Sequence, residues 1–159
     1  MNATDKLFQH IRAGEAAAVR EMLQVDPGLV EARDARGSTP LLLATYLEQL
    51  EVARVLMEAG ADPNGRDGAG NTPLMGVCFK GNAKIARYLI EQGADPSATN
   101  PSGGTALIFA ATFNRPEMVD LLLESGADPA TKDGNGLTAA DHARNQGLTQ
   151  LADRLRRPA

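Results

Sequence analysis

Tryptophan is absent from this 159-residue chain, and aromatic residues make up only 4% of it. A core must then be built from Leu, Ile, Val, Ala and Met, which suits small helices packed closely side by side. A single cysteine, Cys78, excludes an intramolecular disulfide and fits a reducing compartment. No run reaches the length of apolar residues that a membrane-spanning helix needs. The opening MNATDKLFQHIRAGEAAA has no uninterrupted apolar stretch, so no signal peptide is expected. A strongly basic balance is missing too: the formal charge is −4 and the pI near 5.2, which argues against a nucleic-acid-binding face. These absences predict one cytoplasmic domain over 1–159, with no membrane partner.

What is present is a repeat. The segment 34–66, DARGSTPLLLATYLEQLEVARVLMEAGADPNGR, recurs in outline at 67–99 and 100–132. Gly37, Gly70 and Gly103 share one place in the unit; Thr39, Thr72 and Thr105 share another; Leu41, Leu74 and Leu107 a third. Each mark advances by 33 residues, as do the Gly-Ala-Asp-Pro runs at 60–63, 93–96 and 126–129. A period of that length means a stacked-repeat architecture in which each unit buries its apolar face on its neighbours.

Local chemistry predicts two helices per unit. Thr39-Pro40 and Thr72-Pro73 place a hydroxyl at the N-cap and proline at the first helical position, and Thr105 keeps the cap without the proline. Short first helices are expected at 40–47, 73–80 and 106–113, and longer apolar ones at 50–58, 83–91 and 116–124. Val55-Leu56-Met57, Tyr88-Leu89-Ile90 and Leu121-Leu122-Leu123 are read as facing inward. Gly81 and Asn114 mark the break between helices, whereas Glu48 holds that place in the first repeat. Either Glu48 adopts a strained turn or that turn differs in shape; the expectation is that the turn survives. Gly60, Gly93 and Gly126 end the second helices, and the Ala-Asp-Pro and Asp-Gly segments after them predict projecting β-hairpin fingers.

The ends are looser. Residues 1–33 keep the two-helix rhythm: Leu7, Phe8 and Ile11 form a stripe, Asn2 or Thr4 is a candidate cap and Gly14 a stop, and a second helix is expected over about 15–24 with Ala18, Val19, Met22 and Leu23 buried. Residues 133–159 begin as a fourth repeat and diverge, burying Leu148, Leu151 and Leu155 while Asp153, Arg154, Arg156 and Arg157 face water. Both read as caps, as expected of a complete protein rather than a fragment.

The pattern D-x-x-G-x-T-P-L-x-x-A, then helix, Gly, helix and Gly-Ala-Asp, resembles the ankyrin repeat over nearly the whole chain. The resemblance implies an all-α repeat solenoid, an ankyrin-repeat stack of helix–turn–helix units with projecting β-hairpin fingers. The units are a 1–33 N-cap, full repeats 34–66, 67–99 and 100–132, and a 133–159 C-cap. It also implies a concave surface of fingers and first helices that holds partner proteins. Where the family commonly has His after Thr-Pro-Leu, this chain has Leu42, Met75, Ile108 and Asp141, so that His-mediated network is expected to be absent. Gly76 takes the place of Leu43 and Phe109, which are expected to be buried; a void there, with Phe109 filling toward it, would make 67–99 the weakest unit.

Catalytic chemistry finds little support. His10 and His142 lie far apart and at no recognisable motif spacing, and read as an exposed helix residue and a packing or capping residue. Cys78 has only Lys80 nearby to activate it and reads as a small buried residue. No metal-ligand cluster or phosphate loop is present, so neither an enzyme nor a cofactor is expected. The resemblance places the last residues of each first helix on the concave side, which singles out Tyr46, Leu47, Phe79, Lys80 and Phe113. Exposed aromatics there would be anchors for a partner; the alternative is that they pack between adjacent helices. Arg33, Arg36, Arg66 and Lys132 at the fingertips offer a basic rim or are merely solvated, and Asp34, Asp67 and Asp133 are expected to bond amides of the next finger. The functional expectation is a monomeric protein–protein interaction module, a scaffold or inhibitor, with Tyr46, Leu47, Phe79, Lys80, Phe113, Arg36 and Arg66 at its partner-binding site. The alternative is a regulatory or accessory subunit acting through self-association or in a larger complex.

Overall fold

A computed structural model describes residues 1–156. Among them are ten α-helices and one 3₁₀ helix. In chain order the α-helices are α1 (Ala3–Arg12), α2 (Ala16–Val25), α3 (Pro40–Tyr46), α4 (Leu50–Glu58), α5 (Pro73–Lys80), α6 (Ala83–Glu91), α7 (Ala106–Thr112), α8 (Pro116–Glu124), α9 (Ala139–Asn145) and α10 (Thr149–Arg156). The pairs follow the 33-residue register, an all-helical repeat solenoid. Packing divides the chain into two compact units, Met1–Pro73 and the residues from Leu74 onward.

In the first unit, α1 packs on α3 and α2 on α4. Asn2 rather than Thr4 starts α1, its Oδ1 accepting from the Asp5 amide at 2.8 Å. Leu7, Phe8 and Ile11 fill the inner face of α1, and Val19 and Leu23 that of α2, with Ala18 and Met22 half-buried beside them. A 3₁₀ turn over Pro27–Glu31 then buries Leu29 and Val30. Thr39 caps α3 by accepting from the Leu42 amide at 3.2 Å. Val52, Ala53, Val55 and Leu56 are the inward residues of α4, and Met57 is half-buried, so the apolar triplet seen in sequence is only part of that face.

The second unit repeats the arrangement, with α7 against α9, α6 against α8, and α9 against α10. Leu107, Ile85, Leu89, Met118 and Leu122 are fully buried. Leu151 and Leu155 are buried as expected, whereas Leu148, just before α10, is only half-buried. Asp153, Arg154 and Arg156 are exposed, and Arg154 reaches Asp120 on α8 at 3.0 Å. Arg157 lies outside the described residues.

Each first helix stops at a residue in the left-handed region: Gly14 (φ 73°), Glu48 (φ 61°), Gly81 (φ 84°), Asn114 (φ 55°) and Gly147 (φ 77°). The turn at Glu48 therefore survives, and α3 and α4 are separate helices. Two backbone bonds hold it: Gln49 N–H donates to the Ala44 carbonyl at 2.9 Å and Glu48 N–H to the Thr45 carbonyl at 3.1 Å. That is the Schellman closure, which satisfies the orphan carbonyls of the last turn. Its bonds offset the cost, about 1–2 kcal/mol, of a side chain in this conformation.

Several expectations need correction. Among the described residues no strand forms, and the fingers are tight turns with one isolated antiparallel bridge, Thr99–Thr105. The reason lies in the aspartates. Asp34 Oδ1 accepts from the amides of Arg36 and Ser38, both at 2.9 Å, and Asp67 does the same for Ala69 and Asn71. These carboxylates close their own turns, not the next finger, and use up the amides that a ladder would need. Neighbouring turns join through backbone, as where Gly134 N–H donates to the Ser102 carbonyl at 2.8 Å.

The histidine position is also more varied than expected. Leu42, Met75 and Ile108 are buried there, but Asp141 completes a capping box with Thr138. One residue on, His142 Nε2 lies 2.6 Å from Asp133 Oδ2, so a histidine does tie the last turn to α9. The Asp133 carboxyl is held below its ordinary value, chiefly by this bond and then by the Leu137 amide; the bond from the Thr138 amide does the same for Asp141.

Two outcomes follow. Glu48→Gly relieves the left-handed strain and should raise stability in urea denaturation by about 1 kcal/mol, while Glu48→Val should lower it. Asp133 has a folded pKa below its unfolded value near 3.8, so its contribution is complete above that pH and is lost as pH falls through the folded value. Asp133→Asn should therefore be less stable at pH 7 and show a shallower loss of stability below about pH 4.

Candidate functional site

Tyr46, Leu47, Phe79 and Phe113 are 41%, 37%, 42% and 40% exposed, in a chain whose other large apolar side chains are mostly buried. They stand at or beside the left-handed break, where the first helix has just ended. Tyr46 and Leu47 belong to the first unit, and the phenylalanines to the second.

In the second unit the rings form a cluster. Phe79 and Phe113 meet edge to face, centroids 4.6 Å apart and planes at 79°. Phe109, one turn earlier on α7, lies parallel to Phe113 at 6.5 Å. An edge-to-face pair contributes about 0.5–1.5 kcal/mol beyond burial, so these rings are held in place while 40% of each meets solvent. The choice between packed and exposed aromatics thus resolves as both at once.

Phe109 had been read as a core residue beside a void at Gly76. The structure corrects this: Leu43, Gly76 and Phe109 are all half-exposed. Their shared place in the repeat lies on the half-exposed side of the first helices, so no side chain is missing from the core at Gly76.

Arg115 is a member that the sequence reading missed. Its guanidinium donates to the Phe79 carbonyl, Nη2 at 3.1 Å and Nε at 3.3 Å, and so satisfies an orphan group at the end of α5. A Cβ added at Gly81 would sit 2.9 Å from the Arg115 Cδ. Gly81 thus suits the place twice, through its positive φ and through the room it leaves for the arginine stem that crosses it. Gln49 covers Gly14 in the same way in the first unit. The register of Gln49 and Arg115, one residue past the break, was the available signal.

Lys80, the last residue of α5, is exposed beside Phe79. Arg36 and Arg66 are exposed at the turns of the first unit. Arg36 precedes α3 and Tyr46 ends it, about 10 Å along the helix, so these two residues are rim and centre and not one cluster. Arg66 Nη1 donates to the Gly70 carbonyl at 2.8 Å. Arg33 donates to the carbonyls of Gly37 and Arg66, at 2.6 and 2.5 Å. Arg33 and Arg66 are thus staples of their turns and not simply solvated tips, and Lys132 is exposed.

Cys78 is fully buried on α5, and burial pushes its thiol far up, which leaves it without nucleophilic character. His10 is half-buried, correcting its reading as exposed; its Nδ1 is 3.5 Å from Glu15 Oε1, close enough for an ion pair but too long for a hydrogen bond. Among the described residues no group of His, Cys, Asp and Glu could hold a metal, and no helix is long and apolar enough to cross a membrane. A wide-mouthed depression of about 610 Å³ beside α1 is lined by Met1, Phe8, Arg12 and Arg33 among others, with the Arg33 head already engaged.

Comparison with known proteins agrees with this geometry. Residues 65–133 match the family model for ankyrin repeats in three copies, and residues 36–68 match the ankyrin repeat. The chain is 42% identical over 64 residues to serine/threonine-protein kinase VIK of Arabidopsis thaliana, covering 40% of this chain and 15% of that protein. It is 36% identical over 56 residues to ankyrin repeat and SAM domain-containing protein 6 of Danio rerio, covering 35% and 8%. It is 38% identical over 58 residues to DNA-binding protein RFXANK of Homo sapiens, covering 36% and 22%. The matched stretch is therefore less than a quarter of each relative. Capped first helices, left-handed breaks and a 33-residue register all coincide with the matched residues, and the chain belongs to the ankyrin repeat family.

Proposed function

We propose that this protein-interaction module binds a partner protein through the exposed ends of its first helices, the concave side that an ankyrin stack offers. The observation that supports the reading is the set of ordered, 40%-exposed aromatic rings, above all Phe79 and Phe113. Rings already fixed in place lose little freedom on binding, which favours them as anchors. Tyr46 and Leu47 contribute the corresponding contact in the first unit, with Arg36 and Arg66 at its turns, and Lys80 flanks the phenylalanines in the second. Rim cations of this kind act mainly on association rate. The protein acts by occlusion or scaffolding and not by catalysis, as a monomer, in a reducing compartment that suits its lone buried thiol. The relatives include a kinase and a DNA-binding protein by name, but the shared stretch in each is a minor part of that chain.

The triple substitution Tyr46→Ala, Phe79→Ala, Phe113→Ala tests the reading. Circular dichroism should stay near that of the parent, because the rings are partly solvated, while partners captured from lysate and identified by mass spectrometry should be lost. Each truncated anchor should cost about tenfold in affinity. Equal capture by parent and variant would refute the site.

A further inference from the structure

Asparagine is followed by glycine at Asn64-Gly65 and Asn135-Gly136, and both pairs sit in turns between a second helix and the next first helix. With no Cβ on the following residue, the backbone can bring its nitrogen onto the asparagine side chain, which makes such pairs chemically labile. The two places differ. Asn64 is half-buried, and a Cβ on Gly65 would meet the Asp62 carbonyl at 3.5 Å and the Thr39 methyl at 3.7 Å. Asn135 and Gly136 are both exposed, and nothing lies within 4 Å of a Cβ placed on Gly136. The Asn135 side chain has no hydrogen-bond partner among the described residues. The aspartate–glycine pairs, Asp67-Gly68 and Asp133-Gly134, are guarded, since each carboxylate is held by two amides of its own turn. A carboxylate anion is also a poor target for a nucleophile.

We propose that Asn135 is a site of spontaneous deamidation, independent of the partner-binding surface. The Gly136 backbone nitrogen loses its proton and bonds to Asn135 Cγ, the Cγ–Nδ2 bond breaks, and ammonia leaves with that proton. Water then opens the cyclic imide. Opening at Cγ leaves aspartate; opening at the main-chain carbonyl leaves isoaspartate, with the backbone routed through Cβ and Cγ. One water is consumed and one ammonia released, and nothing is oxidised or reduced. Gly136 N–H donates to the Asp133 carbonyl at 2.9 Å, so attack waits until that bond opens. Gly134, Asn135 and Gly136 are all exposed, and a backbone bond in such a segment opens at low cost. The isoaspartate product adds a main-chain atom inside a closed turn. There the Leu137 amide meets Asp133 Oδ1 at 3.1 Å, and Asp133 N–H donates to the Leu137 carbonyl at 2.9 Å. Asp133 Oδ2 also lies 2.6 Å from His142 Nε2, so a distorted turn loosens its tie to α9. Deamidation thus acts as a slow, irreversible weakening of the last helix pair.

Ageing the purified full chain in mildly alkaline buffer, followed by trypsin digestion and mass spectrometry, tests this. Cleavage after lysine and arginine puts the two Asn-Gly pairs in separate peptides, 55–66 and 133–144. Against an unaged sample, 133–144 should gain the mass difference of acid over amide several-fold faster than 55–66. In urea the two rates should converge, since both pairs are then equally open. Amides of α9 in the aged chain should exchange with deuterium several-fold faster than in fresh protein. Asn135→Gln should age without that change, because its longer side chain closes the ring far more slowly. Conversion of Asn64 in the folded chain as fast as Asn135 would overturn the site. So would an Asn135 that stays intact in the folded chain while the urea-unfolded chain converts. Unchanged α9 exchange in fully converted protein would overturn the weakening of the last helix pair.

Discussion

The left-handed residue at the end of each first helix is the constraint on which the rest depends. It stops the helix at a fixed residue and turns the chain back for its partner helix. The amide one residue beyond is bonded to the carbonyl five residues earlier, as Gln49 is to Ala44, Arg115 to Ala110 and Leu148 to Ala143. That closure fixes which residues are last in the helix, and so which side chains stand at its exposed end. Tyr46, Phe79 and Phe113 are surface residues because of where the break falls. Glu48 shows how strong the constraint is, since the turn forms without glycine or asparagine.

The turns obey a second, more local rule. One carboxylate or amide oxygen accepts from two backbone amides within five residues, at Asp34, Asp67, Asn100 and Asp133 alike. This makes the turns short and self-satisfied. Arg33 and Arg66 then bond turn carbonyls, so some of the basic residues at the tips serve the turns themselves. Charge at a fingertip is therefore poor evidence of a binding surface unless the geometry leaves it outward, as with exposed Arg36 and Lys132.

Most of the fold was legible because the repeat multiplies weak local signals. A single Thr-Pro or Gly is a modest cue, whereas the same cue at 33-residue spacing fixes helix starts and stops within a residue or so. Strands in the fingers were misread because Asp-Gly chemistry serves an isolated turn as well as a hairpin; only the side-chain bonds separate the two. Phe109 and Gly76 were misread for another reason. A two-turn helix whose residues are nearly all apolar has no periodic contrast, so its half-exposed face cannot be told from its core face by pattern. The aromatic ends were found through the family resemblance rather than by periodicity. Arg115 escaped because its role is to a backbone carbonyl in the previous repeat, and its register one residue past the break does not by itself name that acceptor.

Arg115 also shows why structural and recognition roles need not compete at this surface. Its guanidinium satisfies the end of α5, and in doing so it holds Phe79 where Phe113 can meet it edge-on. The same bond fixes a guanidinium at the end of α5, next to an exposed apolar ring. A lysine in its place would bring a single flexible ammonium to a site where Arg115 donates from two nitrogens of a rigid plane. The side chain that satisfies the end of α5 thus also stands beside the rings, whereas Gln49 and Asn82, at the same place in the other repeats, carry no charge. The repeat provides the position, and the departure from the repeat provides the chemistry.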